Sequence, residues 1–291
     1  MGGPGIVEDC MYSRRDLAKI ALGALPAARL LAKPNSVYHG VTMGVQSYSL
    51  RERSLEDALK ALAEIGFSYC ELWEGHVAPP GMSRKGLREW RETIAIEQFD
   101  VIASQFDRAG VNIYAYNYDF DEDFSDREIE RGFEMAKRLG AKVITASSSL
   151  AVAKKVNPFA AKAGIIVGIR NQDGSKETGP SNPDELTEVM RGNPNIGISL
   201  DIGDYVAAGY DPVQYVTEHN DRLVTLGIQD RKTERGASVV FGQGNTPIAA
   251  VLRLLRTRRL RIPAMIEYTY QGRDVMAELE RCYSFCRAAL R

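Results

Sequence analysis

Histidine is scarce and paired cysteine is missing. Only His39, His76 and His219 occur in 291 residues, and the four cysteines make no CxxC. Cys10 lies in the N-terminal stretch, Cys70 in an apolar run, and Cys282 and Cys286 one helical turn apart. That set is too thin for a structural zinc site or a disulfide framework, and a multi-zinc nuclease would need many more histidines. Neither sign of charge dominates. Lys+Arg 37 against Asp+Glu 38 leaves a net charge of −1, so no overall field draws the chain to nucleic acid or an anionic membrane. The basic run from Arg253 to Arg261 reads as a solvated helix face. No Gly-rich phosphate loop follows an early strand. The lone Gly242-Gln243-Gly244 comes late and reads as a loop. Acyl-transfer chemistry lacks its parts too, because there is no Ser-His-Asp order and no thiol near a histidine.

What is present begins with an unusual N-terminus. Ser13-Arg14-Arg15-Asp16-Leu17-Ala18-Lys19 resembles the twin-arginine export signal, with Ile20 to Ala28 as its short apolar stretch. That stretch is far too short to span a bilayer, so stable membrane insertion is not expected. The expectation is a removable signal or tail over 1–36 and an exported, periplasmic protein. A frayed amphipathic helix on a cytoplasmic protein is the other reading.

From residue 37 to 291 one pattern repeats. Helical stretches end in glycine and a short apolar run follows, as in Glu64-Ile65-Gly66-Phe67 and Lys162-Ala163-Gly164-Ile165. Glycine just past a helix accepts the left-handed conformation that turns the chain back. Helix starts are marked by Asn182-Pro183, Asp211-Pro212 and Thr246-Pro247, each placing a capping side chain before a proline at the first helical position. Eight strands are expected, at 41–47, 68–73, 111–116, 142–147, 165–169, 196–200, 222–228 and 262–267. Strict alternation with helices over about 255 residues predicts a single (β/α)8 TIM barrel, α/β in class, rather than a doubly wound open sheet.

Chemistry in such a barrel collects at the C-terminal ends of the strands. There the sequence places Glu71, Trp73 and His76 after strand two, Arg170, Asn171 and Gln172 after strand five, and Asp201 and Asp204 after strand six. Gln229, Asp230 and Arg231 follow strand seven, and Glu267, Tyr268 and Tyr270 follow strand eight. The mouth is polar and rich in amide and hydroxyl groups, which suits a polyhydroxylated small molecule such as a sugar. Glu71, His76, Gln172, Gln229 and Tyr268 are candidate ligand contacts, with Tyr268 and Tyr270 able to stack on a sugar ring.

Five segments carry a resemblance. They are Gly44-Val45-Gln46-Ser47-Tyr48-Ser49-Leu50-Arg51, Glu71-Leu72-Trp73-Glu74-Gly75-His76, Leu200-Asp201-Ile202-Gly203, Gln229-Asp230-Arg231 and Pro263-Ala264-Met265-Ile266-Glu267. Together the chain resembles the xylose-isomerase-like barrels, the sugar phosphate isomerases and epimerases. The resemblance implies a divalent ion held by Glu or His after strand five, Asp after six, His after seven and Glu after eight. Asp201 and Glu267 match two of these four. The strand-five position is Arg170, the strand-seven position is Gly227, and a further histidine position is Asp204.

A guanidinium has five donors, no acceptor and a permanent charge, so it cannot ligate a cation. Between Asp201 and Glu267 it would satisfy both carboxylates as a bidentate fork. The expectation is therefore no metal cofactor, with Arg170, Asp201 and Glu267 as the catalytic group. The alternative is a divalent cation (Mn, Mg, Co or Zn) on Asp201 and Glu267, with Arg170 turned outward. The function expected is proton transfer next to a carbonyl of a carbohydrate, as in an isomerase, an epimerase or a related lyase. The rival is a non-catalytic sugar-binding or partner-subunit barrel, and oligomerisation is left open.

Overall fold

Eight parallel strands alternate with helices and close on themselves. The computed structural model describes residues 33–175, 179–269 and 274–291; the twin-arginine stretch and Tyr270 lie outside them. The barrel strands are β1 (Val41–Gln46), β2 (Tyr69–Trp73), β3 (Asn112–Asn117) and β4 (Val143–Ala146). They continue with β5 (Ile166–Arg170), β6 (Ile196–Asp201), β7 (Leu223–Ile228) and β8 (Ala264–Ile266). Each pairs with the next, and β8 returns to β1 through Met43↔Ala264, Gly44↔Met265 and Val45↔Ile266. The predicted TIM barrel is what forms, with strand ends shifted by a residue or two. Among the described residues no helix is long and apolar enough to cross a membrane.

The strands carry apolar residues on both faces because helices cover the outside while side chains fill the inside. Every residue of β4 and β6 is buried, including the charged Asp201. The helices face the strands with one stripe each; Leu55–Ile65 buries Ala58, Leu59, Ala61 and Leu62. Gly66 closes that helix at φ 100° and Gly164 closes Leu150–Ala163 at φ 68°, conformations that penalise a side chain. Asn182 and Asp211 cap their helices as the sequence predicts. Thr246 does not. The third helix starts at Ile248 with Pro247 at the capping position, and the Thr246 hydroxyl instead accepts the Arg231 N–H at 3.0 Å.

Register sets the depth of the strand ends. Arg170 pairs with Ser199, Asp201 with Gly227, and the Glu267 N–H donates to the Ile228 carbonyl at 3.0 Å. The last residues of β5 and β6 and the first beyond β8 therefore sit in one layer at the barrel mouth.

Candidate active site

The mouth opens into a cavity of about 760 Å³. On its floor Nη2 of Arg170 lies 2.5 Å from Oδ2 of Asp201 and 2.6 Å from Oε2 of Glu267. Arg170, Asp201 and Glu267 are thus brought together, but by a single shared nitrogen rather than the bidentate fork expected from the sequence. Among the described residues Nη2 is the only atom of this guanidinium with a hydrogen-bond partner. The Asp201 side chain is fully enclosed and that of Glu267 is 8% exposed. Glu267 Oε2 has no hydrogen-bond partner of its own. Its contact with Arg170 is an ion pair by distance, with the N–H bonds aimed elsewhere.

Asp201 is held from all sides. Asn171, completely buried, donates to the Asp201 carbonyl at 3.1 Å and accepts its N–H at 2.7 Å, clamping the backbone. Oδ1 of Asp201 caps the helix Ile202–Ala207 by accepting the Asp204 N–H at 2.8 Å. Oδ2 also accepts from Gln229 Nε2 at 2.8 Å. Burial pushes the Asp201 carboxyl up, while Arg170 pulls it back. For Arg170, burial works against the charge, but Glu267 and Asp201 outweigh it and keep the guanidinium protonated. Gly227 lets Asp201 pack closely against β7. A Cβ there would meet Asp201 Oδ2 at 2.8 Å and Asp201 Cα at 3.2 Å.

A second arginine repeats the motif at the rim. Arg231 reaches Asp204 at 2.5 Å and Asp173 at 2.9 Å, and donates through Nε and Nη2 to the Gly236 carbonyl. It ties the loops after β5 and β7 to the short helix after β6. Burial, then the nearby Asp201 charge, raise the Asp204 carboxyl to about 6, with both arginines pulling the other way.

The remaining sequence candidates separate into two groups. Gln172 and Gln229 line the cavity; Gln229 Oε1 accepts from Thr269 at 2.8 Å and Ser238 at 3.1 Å, which fixes which way its amide points. Glu71, His76 and Tyr268 do not line it. Glu71 sits beneath the floor, accepting from Thr145 Oγ1 at 2.7 Å and, more loosely, from Gln46 Nε2 at 3.4 Å. Burial raises its carboxyl to about 7 against the pull of Arg170. His76 has both ring nitrogens occupied, Nδ1 by Ser47 Oγ at 2.9 Å and Nε2 by the Leu50 carbonyl at 3.2 Å, which leaves none for a ligand. Burial lowers its pKa, so the ring is neutral. Tyr268 is buried, its N–H bound to Ser49 Oγ at 2.9 Å.

Of the two tyrosines expected to stack on a sugar, Tyr270 lies outside the described residues and Tyr268 is buried; among the described residues the aromatic side of the cavity is formed by Trp73 and Tyr48. Their rings meet edge to face at 5.0 Å and 88°, and both line the cavity. The Trp73 ring lies so close over Gly75 that a Cβ there would be 2.2 Å from it. Trp73 is one of only two tryptophans and ends β2, a signal available in the sequence. Asn117, Asp119 and Ser147 complete the far side. Asp119 is accessible to solvent yet deep in the cavity, and burial raises its carboxyl despite a Ser147 N–H at 2.6 Å. Arg170 and Asn117 also pull it down.

Residues 59–284 match the family described as xylose isomerase-like TIM barrel. The chain belongs to that family. Among solved structures, a sugar phosphate isomerase/epimerase from Parabacteroides distasonis superposes with a TM-score of 0.62 at 18% identity, covering 87% of this chain and 96% of its own. The 3-keto-D-glucoside 4-epimerase of E. coli gives 0.64 at 15% identity, covering 85% and 99%. The IOLI protein, whose structure includes a zinc atom, gives 0.66 at 14% identity, covering 86% and 98%. At these identities the likeness is one of fold. No curated protein sequence matches the chain significantly. Among the described residues no group of three or more His, Cys, Asp or Glu side chains is gathered as a metal site would require.

Proposed function

We propose that this xylose isomerase-like barrel is a carbohydrate isomerase or epimerase that moves a proton next to a carbonyl, with Arg170 standing where such barrels hold a divalent ion. The observation that carries the reading is the Arg170 guanidinium seated between Asp201 and Glu267. That donor set does not fit a divalent ion. Two carboxylates are already paired with a permanent cation, Gly227 supplies no ligand, and an ion beside Arg170 would meet a repulsion of several kcal/mol at an intermediate dielectric. The carbohydrate part rests on the cavity's amide and hydroxyl lining and on neighbours described as a sugar phosphate isomerase/epimerase and a 3-keto-D-glucoside 4-epimerase.

In this reading Glu267 is the base. Its Oε2 is buried, unpartnered by any hydrogen bond and on the cavity floor. It takes the C–H proton beside the carbonyl, the electron pair forms the C=C bond of an enediolate, and negative charge moves onto the substrate oxygen. Arg170 receives that oxygen through N–H donors not used by Asp201. Charge passes from Glu267 to the substrate within reach of one guanidinium, so the step gains only if the oxyanion is held better than the carboxylate was. Return of the proton from Glu267 to the former carbonyl carbon isomerises, provided the hydroxyl proton of the deprotonated carbon passes to the former carbonyl oxygen; epimerisation requires a second acid on the opposite face of the substrate. Gln172 and Gln229 orient substrate hydroxyls. The same ion pair favours a second reading, a sugar-binding barrel without turnover, because it already occupies both acids.

The test is turnover on a panel of ketoses, aldoses and keto-glycosides, with and without chelator, beside Glu267→Gln. Activity that ignores chelator and vanishes in Glu267→Gln supports the enzyme. Chelator-sensitive wild-type turnover defeats it, and binding without turnover supports the second reading.

A further inference from the structure

We infer that the cavity selects uncharged sugars or glycosides and rejects phosphorylated sugars and sugar acids, an inference that rests on the carbohydrate reading above. Among the described residues the walls carry a surplus of negative charge built into the ion pairs. Arg170 is matched by two carboxylates, Asp201 and Glu267, and Arg231 by two more, Asp204 and Asp173. Each cluster is therefore one negative charge over. Asp119 adds a third, since it lines the cavity and makes no ion pair with any described residue. Among the described residues neither lysine nor histidine lines the space.

The arginines do not offer what a phosphate needs. Arg231 spends Nε and Nη2 on the Gly236 carbonyl, Nη2 also on Asp173 and Nη1 on Asp204, so no two-donor face remains for an incoming anion. Arg170 keeps donors, but at the floor and between two acids, a place that suits a single carbonyl or hydroxyl oxygen. Each unit of added negative charge roughly 7 Å from one surplus charge, at an effective dielectric of ~20, would lose about fifty-fold in affinity, and a phosphate carries more than one. The rest of the lining is neutral and made for hydroxyls: Asn117, Gln172, Ser147, Ser238 and Thr269. The Trp73 ring also lines the space, packed on Gly75 and Tyr48 and apolar enough to carry the C–H side of a sugar ring.

The experiment is titration calorimetry on the full chain with matched sets: neutral ketoses, aldoses and methyl glycosides, their 6-phosphates, their uronates, and inorganic phosphate. At least one neutral member is expected to bind, with its phosphate and uronate counterparts weaker by about thirty-fold or more. The neutral ligand's affinity should stay constant from about 50 to about 500 mM salt, while Trp73→Ala weakens it roughly ten-fold. A phosphate or uronate that binds as tightly as its neutral partner overturns the inference. So does saturable inorganic phosphate binding that Arg170→Met abolishes. If no sugar of any charge binds, the carbohydrate reading falls. The charge inference is then judged on inorganic phosphate, which wild type should not bind and Asp119→Asn should bind better.

Discussion

Replacing Arg170 by methionine keeps most of the side-chain stem and removes only the charge between two enclosed acids. Because one nitrogen lies 2.5 Å from Asp201 and 2.6 Å from Glu267, the two carboxylate oxygens are no more than about 5 Å apart. At an effective dielectric near 20 their repulsion is about 3 kcal/mol. Breaking a buried ion pair by removing one partner costs about 3–5 kcal/mol, and the two figures describe largely the same loss. For a barrel of this size the melting temperature should fall by roughly 6–20 °C at pH 8. Proton uptake by the acid pair relieves the repulsion. The penalty is therefore complete at alkaline pH and shrinks as pH falls towards the carboxyl range of the unfolded chain, near 4. Urea unfolding followed by tryptophan fluorescence, at pH 8 and pH 5, measures both halves. Equal stability of variant and wild type at pH 8, or a gap that widens on acidification, would refute the argument.

Three other consequences are open to the same measurement. Glu71 holds its proton to about 7 against an ordinary value of 4.5, so the native state loses about 3 kcal/mol as pH rises from below 4.5 to above 7. Glu71→Gln should abolish that slope and melt higher than wild type at pH 8; a slope left intact would show that another group causes it. Gly227→Ala pushes a Cβ against Asp201 and should cost about 1–3 kcal/mol while loosening the Arg170 contact, seen as lost stability together with lost ligand affinity. His76→Ala should cost about 1–2 kcal/mol through its two lost hydrogen bonds and leave the pH profile of turnover in place. A profile that loses a limb would give His76 a chemical role.

The barrel was legible because its signals are local. Apolar runs of about five residues after a glycine, and proline-marked helix starts, need no knowledge of the rest of the chain. Asp201, Glu267 and Arg170 could be placed at one mouth because strand ends in a parallel barrel share a side. Side-chain direction was not legible. Nothing in the sequence distinguishes a guanidinium forking onto two acids from one nitrogen shared between them. His76 reads as a ligand contact until Ser47 and Leu50 are seen to fill both its nitrogens. Loop folding hid the rest. Asp230, one residue from Arg231 in sequence, turns away to gather the N–H groups of Gly242, Gly244 and Thr246. The glycines of Gly242-Gln243-Gly244, which read only as a loop in the sequence, thus wrap a carboxylate of the chain itself. The Arg231 clasp depends on Asp173 and Asp204, 58 and 27 positions away, and no spacing rule pairs them.

The claim that an arginine does a metal ion's work is tested most directly by titrating the full chain with Mn²⁺ and following free ion by electron paramagnetic resonance. Wild type should show no stoichiometric site. Tight one-to-one binding that Asp201→Asn and Glu267→Gln each abolish would contradict the account.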